Sequence, residues 1–120
     1  MNPGPELDAL VAEKVMGWRM DDNKHLNLAW DPKRSPNDGL RCIPDYSTDI
    51  AAAWEVVEKL DTLALSRGDI ADISVWVAQF VTEGPGYPVN IQAIAKTPTH
   101  AICLAALKAV GVEVKEGVAA

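Results

Sequence analysis

The residues with most scope for chemistry are two cysteines and two histidines: Cys42, Cys103, His25 and His100. A thiol becomes a nucleophile when a base lies within hydrogen-bond reach and a third group orients that base. Cys42 and His100 supply the first two types, but no pattern brings them together or provides the third. His100 falls in the first turn of a predicted helix, where the positive end of the helix dipole disfavours its protonation. Cys103 falls on the apolar face of the same helix and reads as a small core residue. The residues therefore lean away from an enzyme, and no catalytic residue is assigned.

Metal and phosphate chemistry fare no better. Asp21-Asp22-Asn23, His25 and Asp31 carry ligand atoms, but they lack the alternating spacing, the glycine and the distal glutamate of a calcium loop. One histidine and one carboxylate do not make a zinc site. This stretch reads as a solvated acidic turn. Gly84-Pro85-Gly86 has no following Lys-Ser/Thr and joins two predicted strands, so it reads as a hairpin turn rather than a phosphate loop. No metal and no cofactor is expected.

Binding chemistry is left to the aromatic residues. Trp76, Phe80 and Tyr87 could form a stacking platform for single-stranded nucleic acid. Against this, positions 73–81 and 89–95 hold no Lys or Arg, and the chain carries a net charge of -6 with a pI near 4.7. Phosphate backbones are held by clustered cations. The nearest approach is Lys33-Arg34 followed by Arg41, in a segment that also carries Asp31 and Asp38. Nucleic acid is the alternative reading. The leading one is contact with another protein, of phage or host, or with a second copy of the chain. Tyr and Trp dominate interface hot spots, and Trp18, Trp30, Tyr46 and Tyr87 are the expected interaction surface.

These side chains must be positioned by a fold, and the chain's 120 residues suit one domain, expected over 1–120. Apolar residues make up 48% and charged residues 23%, a globular composition. No apolar run approaches the roughly 20 residues needed to span a bilayer, and Met-Asn-Pro-Gly-Pro-Glu lacks the pattern of a signal peptide. Two cysteines are too few for a disulfide framework. A cytoplasmic protein, with no membrane partner, is the expectation.

Three helices are legible. The first is expected from Pro5 to Met16, with Leu7, Leu10, Val11 and Val15 inward and Gly17 as its stop. The second follows Pro44-Asp45-Tyr46, with Ser47 as N-cap. Its apolar face is expected to hold Ile50, Ala53, Trp54, Val57 and Leu60, with Trp54 at a helix–sheet junction in the core. The third is capped by Thr97, with Pro98 in its first turn and Gly111 at its end. Ile102, Cys103, Ala106, Ala109 and Val110 are expected to line its buried face.

Between the second and third helices, Ile73–Val81 is rich in β-branched and aromatic residues, and Val89–Ala95 alternates. The first of these is apolar on both faces, which places it in the middle of a sheet. Residues 18–46 are broken by Pro32, Pro36, Gly39 and Pro44, and Leu26 to Trp30 suggests a short strand within them. A connection this long is usually functional. The expected class is α+β: a small antiparallel sheet of two or three strands packed with three helices.

Three pieces in order carry a family likeness: Asp8-Ala9-Leu10-Val11-Ala12-Glu13-Lys14-Val15-Met16-Gly17-Trp18, then Tyr46 to Leu60, then Ala101-Ile102-Cys103-Leu104-Ala105-Ala106-Leu107-Lys108-Ala109. Together they resemble the phage ABA sandwich domain, a family of small phage and prophage proteins. The resemblance implies a layered α/β/α sandwich and a phage origin. It implies no activity and no site residue. Residues 19–45, with Lys33-Arg34-Ser35-Pro36-Asn37-Asp38, depart most from the family's pattern.

Overall fold

The computed structural model describes residues 2–20, 28–60, 64–83, 86 and 88–112. In chain order it contains helix α1 (Pro5–Lys14), strands β1 (Arg19–Met20), β2 (Leu28–Trp30) and β3 (Arg41–Cys42), helix α2 (Ile50–Leu60), strands β4 (Ala64–Ile70), β5 (Ile73–Glu83) and β6 (Pro88–Ala95), and helix α3 (Pro98–Ala109). The strands form two separate antiparallel sheets, in the orders β1-β2-β3 and β4-β5-β6. The result is an α+β fold with one sheet more than the sequence suggests.

α3 organises the core. Every residue from Thr99 to Leu107 is buried, so over this stretch the helix has no solvent face. A helix apolar all round must be enclosed by other elements. One side of α3 lies on β5 and β6, while α1 and α2 pack against it from elsewhere. Alanines at 101, 105 and 106 let the neighbours approach closely, and Ile102, Leu104 and Leu107 fill the remaining volume. Each of these three larger side chains contributes about 1.5–3 kcal/mol by burial. Thr97 caps the start, its Oγ1 accepting the His100 N–H at 3.3 Å. The end is closed by Gly111 at φ +87°, with the Val112 N–H on the Leu107 carbonyl and the Gly111 N–H on that of Lys108. That pairing satisfies carbonyls the helix would otherwise leave open. Val110, expected on the buried face, is 41% exposed, because the helix has already ended there.

The large sheet presents one face to α3. Trp76, Ala78 and Phe80 of β5 pair across with Ala95, Ala93 and Ile91 of β6, so all six side chains share that face. β5 is the central strand, as its two-sided apolar character predicts. β4 was not expected. It joins β5 through Ala71 (φ 48°) and Asp72 (φ 65°), a two-residue turn with both residues left-handed.

α2 differs most from expectation. Its buried residues are Ala52, Ala53, Val56 and Val57, while Ile50 and Trp54 are each 50% exposed. The buried stripe is rotated from the one that alternation of bulk suggests. The reason lies in the partner: α2 packs on α3. Two alanines fit that narrow gap and an indole does not.

The N-cap differs as well. Asp49 caps α2, its Oδ1 accepting the Ala51 N–H at 3.0 Å. Ser47 instead ties three distant segments together. Its N–H donates to Asp8 Oδ1 of α1 at 2.8 Å, its Oγ accepts the Gly4 N–H at 2.9 Å, and its carbonyl accepts the Thr99 hydroxyl of α3 at 2.8 Å. Asp8, in the first turn of α1, is therefore buried. Burial raises its pKa above the ordinary carboxylate value, the hydrogen bonds from Ser47 oppose that shift, and Asp45 nearby adds to it.

Candidate binding surface

Residues of the small sheet line a cleft. β1, β2 and β3 are two or three residues long and cannot be stable alone. They are fastened at two places. The first is Arg19, paired with Trp30 across β1 and β2, with its guanidinium 4.8 Å from the ring centroid. The second is Trp18, buried beside Tyr46, whose hydroxyl it meets by a side-chain hydrogen bond. An indole N–H can only donate, so Tyr46 accepts. The segment 44–49 that carries Tyr46 is a compact turn, with the Tyr46 N–H on the Pro44 carbonyl and the Asp49 N–H on that of Asp45.

Between this sheet and α2 lies a cleft of about 570 Å³, within the size range of small-ligand sites. Its base is formed by Trp18 and Tyr46, with Met16, Leu28 and Leu40 around them. Its rim carries Lys33, Arg34 and Arg41 against Asp31 and Glu55, the last of these from α2. The Asp31 turn is locally built: Oδ1 accepts the Lys33 N–H at 2.9 Å and Oδ2 meets Arg34 Nε at 3.9 Å. Among the described residues neither Lys33 nor Arg41 forms an ion pair. Tyr46 is pushed up to about 12, first by burial and then by the negative charges of Glu55 and Asp31, with the Trp18 bond opposing.

A second feature adjoins it on α2. Ile50 and Trp54 lie one turn apart on the same exposed face, with the exposed carboxylates of Asp49, Glu55 and Glu58 around them. Ile50 also lines a recess of about 380 Å³ with Pro3, Thr48 and Pro98. Half-exposed large apolar side chains in contiguous positions mark interaction surfaces.

The four aromatics named from the sequence are thus divided. Trp18 and Tyr46 are buried at the base of the cleft, and Trp30 is half-buried beside Arg19. Tyr87 lies outside the described residues, as do Asp21, Asp22, Asn23, His25, Gly84, Pro85 and the 26–27 part of the Leu26–Trp30 strand. Cys42 is exposed on the cleft wall. His100 is buried in α3 and is not among the cleft-lining residues, so among the described residues the cleft holds no cysteine–histidine pair. Cys103 is buried, and desolvation followed by the charge of Asp8 raises its pKa far above the usual thiol range. Phe80 is 1% exposed beneath α3 and offers no stacking face. Sequence reasoning missed Trp54 as a surface residue and the convergence of Lys33 and Arg41. The grouping of Lys33-Arg34 with Arg41 in the proline-rich break of 18–46 was the signal for the latter. Among the described residues no cluster of three metal-ligating side chains occurs, and no helix is long and apolar enough to cross a membrane.

Comparison with protein families supplies the class. The family model of the phage ABA sandwich domain matches residues 9–107, a span that includes most of α1, both sheets and most of α3. The chain belongs to the phage ABA sandwich domain family. Neither the curated proteins nor the solved structures compared with it gave a match.

Proposed function

We propose that this chain is a phage accessory protein that acts by binding another protein, through the outer face of α2. The observation that carries the reading is the pair Ile50 and Trp54, each 50% exposed on a helix whose buried side is complete without them. Neither side chain stabilises the fold in proportion to its size, and a half-exposed Trp is the kind of anchor that fills a partner's pocket. The surrounding Asp49, Glu55 and Glu58 outnumber the single Lys59, so the complementary partner surface is basic. That partner is a host or phage protein, met inside the infected cell.

The test compares the wild-type chain with an Ile50→Ser/Trp54→Ser variant as bait in host lysate at low and high salt. A partner held by the wild type, released by salt and lost with the variant is the expected result. No partner for the wild type, with a monomeric mass by light scattering, overturns the reading. So does a partner that the variant still holds. A defined oligomer of the pure protein, lost in the variant, would replace the basic partner by a second copy.

A further inference from the structure

We propose that the cleft between the small sheet and α2 is a binding site for a small apolar molecule bearing one oxyanion, a carboxylate or a phosphate. The proposal goes beyond the α2 reading and does not depend on it. Its first support is charge. The whole chain carries -6, yet among the described residues the cleft rim holds three cations and two carboxylates, leaving one net positive charge. Its second support is pairing. Arg34 is oriented by Asp31, while Arg41 on β3 and Lys33 have no anionic partner among the described residues. Cations that outnumber the carboxylates of a concave site concentrate anions there. An arginine fork matches carboxylate or phosphate oxygens by two parallel hydrogen bonds.

The third support is the lining below the rim. Met16, Leu28 and Leu40 surround the Trp18–Tyr46 base, so the inner part of the cleft accepts an apolar body and the rim its charge. Carboxylates at Asp31 and Glu55 oppose a second acidic group on the ligand, which limits it to one oxyanion group. The Tyr46 hydroxyl is not free to ionise near neutral pH, since its pKa stands at about 12, and it adds no charge to the site.

Cys42 provides the reporter. It lies exposed on the cleft wall, whereas Cys103 is fully buried in α3, so a thiol reagent reads the cleft alone. The first arm measures alkylation of Cys42 by anionic iodoacetate against neutral iodoacetamide, with N-acetylcysteine amide as reference. The iodoacetate preference at Cys42 is expected to exceed the reference by about threefold or more at low salt. It should fall to the reference in a Lys33→Gln/Arg41→Gln variant and in about 1 M salt, where screening acts within about 3 Å. Both positions are exposed, so the variant is expected to fold normally, as circular dichroism would check.

The second arm asks what protects Cys42 from iodoacetamide. Phenylacetate and phenyl phosphate present the same ring with a carboxylate or a phosphate, and benzyl alcohol presents it without charge. Protection by either anion, lost in Arg41→Gln, supports the site and tells the two oxyanions apart. An iodoacetate preference no greater than the reference overturns the proposal, as does equal protection by benzyl alcohol or none by either anion. None of these outcomes bears on the Trp54 pull-down.

Discussion

The two ends of this molecule are built on opposite principles. Around α3, nine consecutive residues from Thr99 to Leu107 are buried and every neighbour is a long element. Around the cleft, strands of two and three residues are held by a cation over a ring, a Trp–Tyr contact and a carboxylate turn. The first region has volume, and hence stability, but its polar groups are occupied with capping and clasping. The second has little apolar mass but an uneven distribution of charge, with Lys33 and Arg41 in no ion pair among the described residues. The difference teaches that in a chain this small the core and the recognition surface compete for aromatics. Trp18 and Tyr46 serve both by sitting where the core reaches the cleft.

The contrast can be broken most severely at α3. Leu104→Ala should cost about 2–5 kcal/mol in urea unfolding, because a fully buried site enclosed on all sides relaxes poorly. On the cleft side, alkaline pH acts through Tyr46. Its folded pKa of about 12 exceeds the unfolded value near 10, so the folded state holds its proton longer. Stability is then complete below pH 10 and falls between about pH 10 and 12, by about 1.4 kcal/mol per unit. Tyr46→Phe should remove that slope, as pH-dependent denaturation curves would show.

The clasp between the regions comes next. Asp8→Ala leaves the buried Ser47 N–H without its acceptor and should cost about 1–3 kcal/mol. Asp8→Asn keeps an acceptor and removes the buried charge, so it should be neutral or stabilising. The folded pKa of Asp8 is raised, which means its charged form weakens the fold and stability rises as pH falls through that value. In Asp8→Asn this acid-side gain should disappear. The smallest effect belongs to Trp54→Ser, expected to change stability by less than about 1 kcal/mol despite removing the largest side-chain type. A loss comparable with that of Leu104→Ala would mean that the indole belongs to the core after all, and the α2 reading would fall with it.

Much of the frame can be read from residue order, and the misses have physical causes. Thr97-Pro98 and Gly111 delimit α3 because capping is local chemistry, whereas α1 ends at Lys14 with Val15 as its C-cap, two residues short of the expected Met16 and before Gly17 (φ +80°). The two-sided apolar pattern of Ile73–Val81 correctly signals a central strand. β4 was invisible because Arg67, Gly68 and Asp69 are poor strand formers and its turn uses Ala71-Asp72, not the usual Asn-Gly. The face of α2 was misjudged because helical periodicity ranks residues by bulk, while close packing on α3 selects alanines. Ser47 has the chemistry of a cap, but only tertiary structure reveals that its partners lie 39 and 52 residues away. The cleft joins Met16, Arg41 and Glu55, and no local pattern connects such positions.

The position of α3 in the chain has a consequence for biosynthesis. It is the last of the three helices to be translated, yet it is the one on which α1 and α2 rest. Until α3 leaves the ribosome, Leu7, Val11, Val56 and Phe80 have no common surface to cover them. The nascent chain therefore passes through a stage rich in exposed apolar side chains, the stage at which chaperones bind and aggregation begins. Folding must wait for distant contacts, a topology that slows it relative to a bundle of sequential helices. A ribosome-stalled chain ending before Pro98 should be protease-sensitive along its whole described length, and one extended to release α3 should become resistant in a single step.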